Sequence, residues 1–274
     1  MPPLACTVRG CGRRLDRRDR TFVCEAGHAY DLARAGYVNL LQPQDRRSRD
    51  AGDMADAVDA RQSLLAAGLG YTLIDHVAAH AAALPAGSVV VDLGCGTGEA
   101  LGTMVERHSV NGIGIDLSVR AIERATRRWP TATWVVANAD RRLPLLDRSA
   151  SLITSIHARR NPSETARVLA DEGRLIVAVP APDDLQELRE AIAGRALERE
   201  RAHGVELEHS TLFQLLERDT VREQHHVNRD VLLQLLRATY RGERRSALPR
   251  LETLDTLTIT LSSEVLTFAK RPTP

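Results

Sequence analysis

Lysine is almost absent from this 274-residue chain: Lys270 is the only one among 37 basic side chains. Arginine therefore carries nearly all the positive charge, as a planar fork suited to phosphates and base faces. The acidic side chains number 36, leaving a formal net charge of +1, so no basic tail marks a polyanion binder by charge alone. Aromatics are only 3% of the chain. That is too few for a stacking platform serving several unpaired bases, although one flipped base could still be held. No apolar run reaches the roughly 20 residues of a membrane helix. The start, Met1-Pro2-Pro3-Leu4-Ala5, lacks the charged and apolar regions of a signal peptide, so a cytoplasmic protein without a membrane partner is expected. Cysteine is scarce as well, with three of the four crowded into the first 24 residues. In a reducing compartment such crowding favours a metal over disulfides. What is plentiful is apolar side chain, 43% of residues, enough for a full α/β domain plus a small appended module.

The spacing of Cys6, Cys11, Cys24 and His28, C-x4-C-x12-C-x3-H, lets two short knuckles close a tetrahedron around one ion. Thiolate and imidazole donors suit Zn2+, and with all four positions filled by protein no water site remains, so the zinc is expected to be structural. The competing reading is three free thiols and a chance histidine, in a segment too short to fold without a staple. Around the ligands stand Arg9, Arg13, Arg14, Arg17, Arg18 and Arg20, interleaved with Asp16, Asp19 and Glu25. They form either a phosphate-holding surface or a solvated, charge-balanced face.

Three segments are expected: a zinc-binding module over 1–35, a connector with helices over 36–84, and a cofactor domain over 85–274. Between Asp53 and about Ala83 apolar residues recur at helical spacing, with a break near Gly68-Leu69-Gly70-Tyr71. The β-branched run Ser88-Val89-Val90-Val91-Asp92-Leu93 then meets Gly94-Cys95-Gly96-Thr97-Gly98. Glu99 stands where a dinucleotide fingerprint needs glycine, which disfavours NAD. An acid two residues before G-x-G-x-G is the first motif of class I methyltransferases and points to S-adenosylmethionine. The strand Gly112 to Asp116, followed by Leu117, puts a carboxylate where ribose hydroxyls need one. The strand Thr133 to Ala137 ends at Asn138-Ala139-Asp140, which would meet the adenine edge. Further strands are predicted over 150–156, 173–180, 220–227 and 257–269. Helices are predicted over 163–169, 185–202, 207–218 and 230–238. The alternation demands a doubly wound, Rossmann-like α/β sheet, expected to be seven-stranded.

These features together resemble the RlmA-type 23S rRNA (guanine-N1) methyltransferases, a family that includes enzymes protecting producers of macrolide antibiotics. The resemblance runs through the four zinc ligands, Gly36-Tyr37-Val38-Asn39-Leu40-Leu41, Arg47-Ser48-Arg49-Asp50, Gly52-Asp53, Ala60-Arg61 and Asp92-Leu93-Gly94-Cys95-Gly96. It implies a zinc module that engages an rRNA hairpin, a tyrosine, Tyr71, lying against the cofactor, and a homodimer in which two copies clamp a hairpin. Three departures stand out. The first two cysteines are spaced by four residues and not two. His157-Ala158-Arg159-Arg160-Asn161-Pro162 replaces an aromatic followed by Ala-Pro. Asp184 stands where the family has histidine.

Methyl transfer from a sulfonium needs near-attack alignment more than acid–base help. Guanine N1 must nevertheless lose a proton, and His157 and Asp184, each following a strand end on the cofactor side, are the candidate bases. Cys95 reads as a small packed residue. A small-molecule methyltransferase derived from an RNA enzyme, and a non-catalytic RNA binder, are the alternatives.

Overall fold

The computed structural model describes residues 1–43, 55–193, 200–239 and 253–272. The expected motifs at Arg47-Ser48-Arg49-Asp50 and Gly52-Asp53 lie outside them. Near the N-terminus three short strands, β1 (Leu15–Arg18), β2 (Thr21–Cys24) and β3 (Ala29–Asp31), make a small antiparallel sheet. The remaining strands are β4 (Val38–Asn39), β5 (Val89–Leu93), β6 (Asn111–Asp116), β7 (Thr133–Val136), β8 (Ala150–Ile156), β9 (Leu169–Pro180), β10 (Phe213–Asn228) and β11 (Thr256–Lys270). They form one sheet in the order β10-β11-β9-β8-β5-β6-β7-β4. Strands β4 to β9 run parallel to one another, and β11 is antiparallel to both β9 and β10.

The helices are α1 (Ala55–Ala66), α2 (Tyr71–Ala79), α3 (Glu99–Arg107), α4 (Val119–Arg128), α5 (Pro162–Val168), α6 (Gln186–Ala193), α7 (Ala202–His209) and α8 (Arg229–Thr239). The doubly wound expectation holds. Its strand count differs: the connector contributes β4, a two-residue eighth strand that pairs Val38 with Val135 at the sheet edge. The helix expected over 207–218 is also corrected, because α7 ends at His209 and Phe213 begins β10.

Two apolar layers sandwich the sheet. On one face α2, α3 and α4 bury Val77, Leu101, Met104, Ile122 and Ala125 against Val90, Val136 and Ile176. On the other, Leu4, Leu15, Phe22, Val38 and Leu40 join Val91, Ile113, Val135, Val168 and Val177 in a single cluster. The N-terminal module is thus continuous with the main core. Backbone bonds from Ala5 to the Pro144 carbonyl (3.0 Å) and from Leu146 to the Pro3 carbonyl (3.0 Å) fasten it to the segment leaving β7. A third cluster joins α1, α6 and α8 through Leu64, Leu188, Leu232, Leu235 and Leu236, with Leu185, just past β9, in the same group.

The wound order reverses between β5–β6 and β5–β8, so a crevice opens beyond the carboxyl ends of β5 and β8, where open α/β sheets bind ligands. Close packing beneath it depends on Gly114. A Cβ there would lie 2.2 Å from the Trp134 ring, which is 1% exposed and tied by its indole N–H to the Trp129 carbonyl at 2.9 Å. Gly114→Ala should therefore cost about 1–3 kcal/mol of stability through overpacking. Denaturant unfolding checks this, and a midpoint unchanged from the unaltered protein would contradict it.

Candidate active site and zinc centre

Loop geometry builds the zinc centre. Backbone bonds from Cys11 to Val8, Gly12 to Cys6 and Gly27 to Cys24 fold two knuckles, and they bring Cys6, Cys11, Cys24 and His28 together with all ligand atoms within 4.8 Å of one another. His28 Nδ1 lies 3.4 Å from the sulfurs of both Cys6 and Cys24, and the Cys11 and Cys24 sulfurs are 3.9 Å apart. A tetrahedral zinc with ordinary bond lengths implies edges of about 3.6 Å for S···N and about 3.8 Å for S···S. The donor set and spacing therefore fit zinc. The Tyr30 hydroxyl, 3.3 Å from Cys6 Sγ, adds an outer partner of the kind that orients a ligand. Burial works against the Cys24 thiolate, but backbone groups of His28 and Ala26 prevail and hold its pKa at about 7.

At the crevice the first glycine of the turn after β5 is dictated by packing. Gly94 has φ +71°, and a Cβ would meet that of Ala158 at 2.3 Å. Gly96, by contrast, has φ +56° and faces open space, since a Cβ there meets nothing within 4 Å. Gly98, tight against Trp134, starts α3. Thr97 donates to Glu99 at 2.6 Å. A cavity beside the turn is lined by Val58, Arg61, Gly96, Thr97, Asp116, Ser118 and Ala121.

Acids cluster here. Asp92 is 3% exposed and accepts a 2.8 Å bond from the Thr154 hydroxyl. Burial, joined by the charges of Asp116 and Glu99, lifts its pKa to about 7 against the pull of that bond. Asp116, at the end of β6, accepts from the backbone N–H groups of Gly96 (2.9 Å) and Ser118 (2.7 Å). Its pKa is raised by burial and opposed by those bonds and by Arg61. Leu117 follows it, half-buried. Beyond β7, buried Asn138 folds an Asx turn by accepting from the Asp140 N–H at 3.0 Å, with Ala139 between them. All of these lie at the carboxyl ends of adjacent strands.

Tyr71 opens α2. Its neighbours are gripped from β10: Glu223 accepts from the Gly70 N–H at 2.6 Å and from the Thr72 hydroxyl. Glu223 pairs with Leu261, two positions beyond the Ser263 that faces Pro180, the last residue of β9. This puts the start of α2 at the same sheet edge, although Tyr71 does not line the cavity described above.

The two candidate bases both lean on β11. His157 adopts φ +51°, and its Nε2 lies 2.9 Å from the Ser263 hydroxyl. Although His157 is exposed, desolvation by the surrounding protein, and then the guanidiniums of Arg201 and Arg61, lower its pKa from the ordinary histidine value. Asp184 accepts from the Ser262 N–H at 3.0 Å, and burial raises its pKa to about 6. At neutral pH His157 is therefore a neutral acceptor and Asp184 chiefly a carboxylate.

Residues 5–49 match the family model described as RlmA, N-terminal, and residues 90–176 match that of a methyltransferase domain. A 23S rRNA (guanine(748)-N(1))-methyltransferase of Streptomyces fradiae is 40% identical over 186 residues, covering 66% of this chain and 65% of its own. A Micromonospora griseorubida protein designated a 23S rRNA (guanine-N(1)-)-methyltransferase is 36% identical over 209 residues, 69% of each chain. This chain belongs to that family. The matches thus span about two thirds of the relatives' length. YcgJ from Bacillus subtilis shares the fold, with a TM-score of 0.51 at 18% identity, covering 73% of this chain and all of its own.

The cysteine and histidine donor set suits a structural zinc, and the matched methyltransferase domain implies S-adenosylmethionine as the methyl donor. The crevice fits that donor: Gly96 leaves open space in front of the backbone, and the acids suit a ligand bearing a sulfonium and an ammonium. Sequence reasoning missed the groups that brace this site. Arg160, its side chain 8% exposed, bonds the Ala158 carbonyl and buried His209, fixing the loop after β8. Arg142 packs its guanidinium over Gly12, beside the zinc knuckle. Isolated arginines carry no local pattern that would have announced either role.

Two predictions follow from this geometry. Cys24→Ala should abolish the bound zinc measured by elemental analysis and, since Cys24 belongs to the shared core, lower the unfolding temperature of the whole chain. Zinc retained in full would contradict the assignment. Because burial raises the folded pKa of Asp92 above the ordinary 3.8, its stabilising share is complete below about pH 4 and is lost as pH rises through about 7. Cofactor-free Asp92→Asn should then be more stable than the unaltered protein at pH 8 by a few kcal/mol, on the order of 1.4 per pKa unit, with the gap closing towards pH 4. Thermal unfolding at the two pH values checks this, and a pH-independent gap would contradict it.

Proposed function

We propose that this chain transfers the methyl group of S-adenosylmethionine to N1 of a guanine in a hairpin of 23S rRNA, in the cytoplasm. The carrying observation is that the zinc module is fastened to the segment leaving β7 at the crevice edge, with Arg142 lying against its Gly12 knuckle. An RNA element held on the module would reach the crevice without a hinge in between. Exposed Arg141, Arg142 and Arg159 extend the arginines of the module toward the acceptor side. On the module itself Arg20 is spent on the Leu32 and Ala33 carbonyls, while Arg13 and Arg14 make exposed ion pairs with Glu25 and Asp16. Such exposed pairs are weak enough to exchange for phosphates. In this reading residues 1–35 grip RNA, 36–84 cover the cofactor, 85–274 carry out the transfer, and two copies of the chain clamp one hairpin.

When bound, the cofactor supplies a methyl group on a positive sulfur. Asp116 accepts the ribose hydroxyls, followed by Leu117. Asn138 and Ala139 meet the adenine edge, and Tyr71 covers the donor. Asp92 and the Gly94, Gly96, Thr97 and Gly98 turn hold the methionine part. His157, neutral at pH 7, accepts or relays the guanine N1 proton, with the Ser263 hydroxyl fixing its ring; Asp184 is the alternative acceptor of that proton.

Incubation with isotopically labelled S-adenosylmethionine and unmodified 23S rRNA should yield labelled 1-methylguanosine on nucleoside mass spectrometry. His157→Ala should lower kcat about 10²–10⁴-fold while cofactor affinity holds. Arg13→Glu with Arg142→Glu should raise KM for RNA about tenfold or more and flatten its salt dependence. Cofactor binding without label in any RNA would overturn the RNA reading in favour of a small-molecule acceptor.

A further inference from the structure

The crevice has a charge imbalance that the residues assigned above do not resolve. Asp92, Glu99 and Asp116 gather around the turn after β5 closely enough that the other two carboxylates help push up the pKa of Asp92. They complement the two positive groups of S-adenosylmethionine, its sulfonium and its ammonium. They repel its third charged group, the α-carboxylate, which needs a cation or oriented donors if it is to leave water.

Arg61 supplies one. It stands on α1, whose buried face is Ala57, Val58, Ala60 and Leu64. It lines the cavity together with Gly96, Thr97 and Asp116. Its helix is held in place from the cofactor side: Asp59 accepts from Arg120 (2.8 Å) and pairs with Arg124 (2.5 Å), both on α4. That helix is capped by Ser118, which itself lines the cavity. From the opposite side the Arg61 Nη2 donates to the Ala238 carbonyl of α8 at 3.2 Å. The guanidinium is thereby anchored from α8 at the cavity wall, and its planar fork is the geometry that pairs with a carboxylate.

Its electrostatic reach agrees with this position. Asp116 opposes the burial-driven fall in the Arg61 pKa, and Arg61 in turn helps depress that of His157. Arg61 therefore lines the cavity beside Asp116, at the strand end that receives the ribose, within electrostatic reach of His157 in the loop that faces the acceptor. The methionine part of the donor must cross from that strand end towards that loop.

We propose that Arg61 is a cofactor-binding residue that receives the α-carboxylate of S-adenosylmethionine. The pairing distinguishes this ligand from molecules that share only its adenosyl group, because no other group assigned to the site offers the carboxylate a positive charge. It rests on the reading that the donor occupies this crevice.

The test is calorimetric binding of S-adenosylmethionine and of its decarboxylated analogue, which keeps the adenosyl, sulfonium and amine groups, to the full-length zinc-loaded protein and to Arg61→Gln and Arg61→Lys. A charge-assisted contact predicts that the unaltered protein prefers the intact cofactor by about 10–100-fold. Arg61→Gln should erase that preference by weakening only the intact cofactor, and Arg61→Lys, which keeps the charge but loses the fork, should fall between. Equal weakening of both ligands in either variant would overturn the inference and make Arg61 a structural brace. Unchanged binding of both, with loss confined to RNA affinity, would overturn it in favour of a phosphate of the acceptor. Failure of the unaltered protein to bind either ligand would instead remove the underlying cofactor reading. Arg61→Lys keeps the test decisive should Arg61→Gln not fold.

Discussion

The structure depends on one act of apolar burial, the insertion of the N-terminal module into the face of the large sheet. Leu4, Leu15 and Phe22 are almost wholly buried and share a cluster with Val91, Ile113, Ile115 and Val135, joined there by Val38 and Leu40 of the connector. A zinc knuckle of this size has too little apolar surface to fold alone. Here the metal closes one end and the sheet covers the other. Cys6 and Cys24 belong both to the ligand set and to that cluster, so metal binding and sheet packing are coupled. Any RNA-holding surface on the module then has a fixed relation to the carboxyl edge of the sheet.

A second constraint is electrostatic. Three carboxylates beside a glycine turn are costly in a protein without its ligand, which is why burial raises Asp92 and Asp116 instead of leaving them ordinary acids. Sites of this kind trade stability for complementarity to a cationic ligand. The Thr154 hydroxyl on Asp92 and the two backbone donors on Asp116 offset part of that cost and aim the carboxylates.

Legibility in the sequence followed how local each feature was. The gathering of Cys6, Cys11, Cys24 and His28, and the placing of the glycine turn, Asp116 and Asn138 at strand ends, were readable because each sits in a short contiguous motif. The strand over Ala150–Ile156 was also placed correctly, as a β-branched apolar run. The helix expected over 207–218 failed for a physical reason. Leu212, Leu215 and Leu216 fall at i, i+3 and i+4, which mimics a helical face, but β10 is bulged between Leu215 and Glu217 and leaves Leu216 48% exposed. The eighth strand was invisible because two residues carry no periodicity. Arg61, Arg142, Arg160, Ser263 and Glu223 act through partners 49 to 177 positions away, or through packing against a distant glycine, and only the folded chain brings them into place.

The central claim is that the zinc module and the crevice act on one rRNA hairpin as a single body. Hydrogen–deuterium exchange of the zinc-loaded protein, with and without an unmodified 23S rRNA hairpin and a saturating non-reactive cofactor analogue, tests it most directly. The account predicts that the hairpin protects the β1–β2 segment, residues 138–146 and the loop at 157–162 together, at the same RNA concentration. Protection of the module alone, or of the crevice alone, would contradict it.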